Sequence, residues 1–127
     1  MLLHPLGQPV HHHPHALVNV HLKGVFFLIQ RLLPLMNDGG RILNLSSGLA
    51  RFALPGYAAY AAMKGAVEVL SRYLAQELGP RGIAVNVVAS DAIETDFGGG
   101  PLVAVLLQPA TRWVNAQRIE NSGGMFL

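Results

Sequence analysis

Tyr60 and Lys64 stand four residues apart, a spacing that brings two side chains onto one face of a helix. A phenol with a pKa near ~10 is a poor acid–base catalyst at neutral pH unless a nearby cation stabilises its phenolate. Lys64 is placed to be that cation. An isolated pair at this spacing is more often a pair of surface neighbours, so its surroundings matter. Ser47 lies thirteen residues before Tyr60, at the end of an apolar segment, where the carboxyl end of a parallel strand meets the ligand crevice of an open sheet. A hydroxyl there can hold a carbonyl or alcohol oxygen beside that of Tyr60. Asn19 sits in an otherwise apolar stretch and needs hydrogen-bond partners if it is buried.

These residues need elements to position them. Ala16 to Met36 reads as a helix apolar on nearly every side, the pattern of a buried or interfacial helix, and Asn37-Asp38-Gly39-Gly40 stops it. Arg41 to Leu45 reads as a short buried strand closed by Ser46-Ser47-Gly48. The clearest helix runs from Ala58 to Leu78, with Met63, Val67, Leu70, Leu74 and Leu78 as one apolar stripe. Glu68 with Arg72, and Glu77 with Arg81, sit at four-residue spacing on its wet face, and Gly79-Pro80 ends it. Ile83 to Ala89 is a β-branched strand, Leu102 to Leu107 an apolar patch, and Gln117 to Glu120 a last strand. This alternation predicts an α/β fold with a parallel sheet of about three strands flanked by two long helices.

Composition narrows the class. Of 127 residues, 51% are hydrophobic and 13% charged, where soluble domains average about 25% charged. Disorder is thereby excluded for most of the chain. A net charge of +2 is too small for a nucleic-acid footprint. The absence of cysteine excludes disulfides and thiolate zinc sites and is compatible with a reducing cytoplasm. Gly24 to Met36 is interrupted by Gln30, Arg31 and Pro34, which argues against a membrane span, and the start lacks a signal peptide's basic and apolar regions. His4, His11, His12, His13 and His15 are interspersed with Pro5, Pro9 and Pro14. Broken by prolines, they read as an unstructured tail over residues 1–15 rather than a metal site, leaving 16–127 as the domain.

Several of these segments, in this order, resemble the short-chain dehydrogenases/reductases. Asn19 to Phe26 resembles the family's helix carrying a catalytic asparagine, and Gly40 to Ser47 its strand ending in a catalytic serine. Tyr57 to Ala66 resembles its Tyr-x-x-x-Lys helix, followed by Leu78 to Asn86, and Trp113 to Gly124 is similar to its final strand and glycine pair. The resemblance implies a partial Rossmann-like three-layer fold and hydride transfer between NAD or NADP and a small-molecule alcohol or carbonyl. It further implies Tyr60 as general acid/base, and Lys64 lowering the Tyr60 pKa and binding the nicotinamide ribose. Ser47 would orient the substrate oxygen and Asn19 hold a water of the proton relay. Ile93 and Thr95 would contact the nicotinamide carboxamide and the neighbouring phosphate. A homo-oligomer formed through the two long helices is implied as well.

The chain also departs from the family pattern. Nothing before Asn19 matches the strand, glycine-rich turn and helix that cradle the dinucleotide, and Ser90-Asp91 stands where the family has Pro-Gly. The expectation is a catalytic half whose nucleotide-binding half is missing, with an exposed sheet edge beside Ile42 to Leu45. Two functions remain open: an oxidoreductase of this type, or a catalytically silent truncated fragment or helix-mediated interaction module that binds no cofactor.

Overall fold

The computed structural model describes residues 14–90 and 100–121. Its first element is one long helical run in four parts: α1 (Pro14–Val18), a π-helical turn (Asn19–Lys23), α2 (Gly24–Leu32) and a 3-10 turn (Leu33–Leu35). Helix is thus already present at Pro14 and His15, inside the stretch expected as a tail; residues 1–13 lie outside the described part. Gly24 closes the π turn, donating its amide to the Asn19 carbonyl five residues back. A Cβ at position 24 would press on that carbonyl at 3.0 Å, so glycine is the residue that fits.

The sheet has the order β1-β2-β3, with β1 (Arg41–Ser47), β2 (Ala84–Ser90) and β3 (Arg118–Asn121) all parallel. The helix α3 (Ala58–Glu77) connects β1 to β2, as two parallel strands require a crossover. β2 is the central strand, and its β-branched run is buried on both faces from Ala84 to Ala89. Ile83 and Val85 pack with Ala75 of α3 and with Leu78 just after it, with Leu33, Met36, Ile42 and Leu74 around them.

The expected α/β class and three-stranded parallel sheet are present, but two details of α3 differ. Its buried face is Val67, Ser71, Ala75 and Leu78, whereas Met63, Leu70 and Leu74 of the expected stripe are half-buried. Small residues at the contact let the helix approach the sheet. There Asn44 of β1 donates to the Ser71 hydroxyl at 2.9 Å, and that hydroxyl donates to the Val67 carbonyl at 2.7 Å. A buried amide is thereby satisfied. The second difference is in the charges: Glu68 and Arg81 pair with distant segments, not at four-residue spacing. α3 stops at Glu77, so Arg81 lies in the following 3-10 turn. It binds Asp38 at 2.8 Å and the carbonyls of Leu33 and Met36 at 3.0 and 2.6 Å. That guanidinium fastens the end of the first helical run to the turn entering β2.

The apolar patch after the glycine run forms α4 (Gly100–Leu106), with Leu106 buried. The segment leading into β3 is held by two asparagines. Asn86 donates to the Val114 carbonyl at 2.8 Å and accepts from the Gln117 amide at 3.0 Å, while Asn115 accepts from the Val85 amide at 2.9 Å. Between them Ala116 adopts a left-handed conformation, φ 57°. The other conspicuous feature is exposure: Phe26, Phe27, Leu28 and Leu32 of α2 face outward. The helical run His15–Leu35 has 21 residues and is long and apolar enough to cross a bilayer by length and composition, interruptions notwithstanding.

Candidate active site

The site forms where β1 ends and α3 begins. Ser47, last residue of β1, is extended and buried, and its side chain accepts from the Leu49 amide at 3.2 Å. That local bond turns the chain away from the sheet and aims the hydroxyl at the top of β1. Tyr60 and Lys64 occupy the first two turns of α3, one above the other as the four-residue spacing requires. Ser47 is close enough to Tyr60 to act on the ionisation of its phenol as a side-chain hydrogen-bond partner. The Lys64 ammonium lies 5.7 Å from the centre of the Tyr60 ring and donates to the Leu45 carbonyl at 3.1 Å. On the phenol's other flank His21 meets the ring edge-on at 5.2 Å. Asn19, two residues earlier on the same π turn, is exposed.

Burial raises the Tyr60 phenol above its ordinary value, and the hydrogen bond from Ser47 opposes the rise. Burial also pushes the Lys64 ammonium down. The phenol is therefore held neutral, and Ser47 is the neighbour that favours its ionisation, while the Lys64 cation rests against the ring. Lys64 has three N–H donors and gives one to Leu45. The remaining two fit a ligand rich in hydroxyls, such as the ribose of a nicotinamide dinucleotide. Thus Ser47, Tyr60 and Lys64 come together, and Asn19 lies on the turn that brings His21 to them. Ile93 and Thr95, with Asp91, lie outside the described residues.

Three participants in the surroundings escaped the sequence reading. Glu68 accepts from the Ser46 hydroxyl at 2.6 Å and from Arg118 of β3 at 2.7 Å. Arg118 reaches on to Glu120 and to the Ser47 carbonyl, each at 3.3 Å, and Glu120 pairs with Arg51 at 2.9 Å. Glu68 read as a solvated helix charge, and nothing in linear spacing links it to a strand fifty residues later. His21 does not stand out as a site residue in the sequence. Its position two residues after Asn19 was the available signal.

A parallel sheet with its crossover helix, a serine at the strand's carboxyl end and a Tyr–Lys pair on that helix mark part of a Rossmann-type α/β domain. A family model described as enoyl-(acyl carrier protein) reductase matches residues 11–102. The chain belongs to the short-chain dehydrogenase/reductase family. It is 35% identical to a short-chain type dehydrogenase/reductase of Picea abies over 83% of this chain and 49% of the relative. Among solved structures, the landomycin C-6 ketoreductase LanV with bound NADP and rabelomycin is 34% identical, with a TM-score of 0.81 over 93% of this chain and 56% of that one. A blue fluorescent protein from a metagenomic library, in complex with NADPH, is 30% identical, with a TM-score of 0.85 over all of this chain and 62% of that one. The chain spans about half the length of the curated relatives it matches.

Proposed function

We propose that this chain carries the catalytic half of an NAD- or NADP-dependent oxidoreductase acting on a small-molecule alcohol or carbonyl. The observation that carries the reading is the Ser47–Tyr60 hydroxyl pair with the Lys64 ammonium against the same ring. A nicotinamide dinucleotide, when bound, supplies hydride exchange with the substrate carbon. Tyr60 gives its proton to the substrate oxygen during reduction and takes it back during oxidation. A phenol kept neutral by burial is in the form that reduction needs. Ser47 holds the same oxygen, so the substrate's polar end is fixed between two hydroxyls. Lys64 uses its remaining donors on the ribose, and Asn19, exposed on its π turn, holds a water that passes protons outward. Ile93 and Thr95 are assigned to the carboxamide and phosphate by their place in the family pattern. A carbonyl substrate is supported by the likeness to a ketoreductase.

The exposed face of α2 favours a second element of the reading. Phe26, Phe27, Leu28 and Leu32, with Val69 and Tyr73 of α3, are between 43% and 66% exposed, a large apolar area for a protein in water. We assign it to self-association through the two long helices, in the cytoplasm rather than in a bilayer. The same face would serve a silent interaction module. Titration of the whole chain with NADH and NADPH, followed by nicotinamide fluorescence, separates the two. Saturable binding is expected; no binding at millimolar cofactor would leave the interaction module as the better account.

A further inference from the structure

Beside Ser47, Tyr60 and Lys64, one polar chain ties α3, β1 and β3 together. Glu68 follows Tyr60 and Lys64 at one further four-residue step along the same face of α3. Its Oε1 accepts from both the Ser46 hydroxyl and the Arg118 Nε. Arg118 then crosses from β3, over β2, to the Ser47 carbonyl of β1. The crossing has room because Ala89, a small buried residue, stands between Ser46 and Glu120 in the register. Arg51, in the loop after Ser47, closes the chain through Glu120. The Ser47 residue is thus gripped on both sides: the preceding hydroxyl by Glu68, its own carbonyl by Arg118.

Stability alone is a weak reason for this arrangement. The Glu68 and Arg118 side chains are only 14% and 25% exposed, and a largely desolvated ion pair is commonly no better than an apolar pair of the same volume. What the ion pair adds is directional contact with two consecutive residues of β1 from two other elements. We propose that Glu68 and Arg118 are positioning residues that hold the Ser47 hydroxyl against Tyr60, a role that rests on the catalytic reading above.

The test reads the Ser47–Tyr60 contact directly, without turnover. The whole chain, labelled at tyrosine Cζ, is titrated by carbon NMR as wild type and as Glu68→Gln, Arg118→Lys, Ser47→Ala and the apolar pair Glu68→Met with Arg118→Leu. Circular dichroism checks each fold. Loss of the Ser47 hydrogen bond removes the group that lowers the phenol's pKa. Glu68→Gln and the apolar pair should therefore move the Tyr60 titration upward, as Ser47→Ala does, with Arg118→Lys partly restoring it. In a Ser47→Ala background Glu68→Gln should add nothing, the coupling expected of residues that act through one contact. A wild-type titration in the folded variants, or an equal shift with and without Ser47, would overturn the proposal. If Glu68→Gln does not fold, the apolar pair decides. With cofactor and a ketone, the variants should lose about 10- to 100-fold in kcat, the scale of a small misplacement, with cofactor KM unchanged. Failure of the wild type to bind cofactor would defeat the catalytic reading and leave the titration result standing.

Discussion

At the scale of single residues, Tyr60 and Lys64 make opposite demands on the folded state. Tyr60 binds its proton more tightly when folded than its ordinary value of 10.0. Unfolded chains therefore ionise first as pH rises, and the phenol's contribution to stability is full below 10.0 and lost as pH climbs through the folded value. Lys64 releases its proton more readily when folded than the ordinary 10.5. Its desolvation penalty is present at neutral pH and fades as pH rises from the folded value toward 10.5. Thermal unfolding across alkaline pH should show both limbs: Tyr60→Phe should remove the fall and Lys64→Met the rise. A profile unchanged by either substitution would contradict the assigned environments. Tyr60, Lys64 and Ser47 were legible because helix periodicity and a strand end are written locally. Glu68, Arg118 and His21 were not, because their partners come from tertiary packing that no linear spacing records.

At the scale of elements, the order of helices and strands followed from hydrophobic period and turn residues, and the strand limits shifted by only one or two positions. The buried face of α3 was harder to read. Size at the contact, Ser71 and Ala75, outweighed hydrophobicity at Leu70 and Leu74, because a helix settles where it can come closest to the sheet. Ala116 is a local cost that no composition argument reveals. A left-handed backbone costs a residue bearing Cβ about 1–2 kcal/mol, and the bonds from Asn86 and Asn115 on either side hold it there. Ala116→Gly should raise the unfolding free energy by about 1 kcal/mol, part of the relief being offset by the freer unfolded chain. Urea denaturation measures this, and a loss of stability would mean that the strain is already relieved elsewhere.

At the scale of the whole molecule, the low charge fraction and large apolar share have a structural counterpart. The apolar residues are divided between a well-buried β2 and an exposed α2, so composition alone overstated the core. The outward face of α2 predicts association: sedimentation should show a dimer or larger species, and Phe27→Glu with Leu28→Lys should shift it to monomer without altering the circular dichroism. A well-folded wild-type monomer would argue against that surface. The sheet is open on the other side of β1, as far as the described residues extend. The Ala84 amide bonds the Gly40 carbonyl, so by the alternation of a parallel ladder Ile42, Asn44 and Ser46 point toward β2. Arg41, Leu43 and Leu45 point their backbone groups outward, and the Lys64 ammonium takes the Leu45 carbonyl among them. In deuterium oxide β1 should therefore exchange as a two-beat pattern, slow at every second amide and fast between. Lys64 sits on the fast side of that strand, so any neighbour that zips onto this edge competes with it for the carbonyl it now holds.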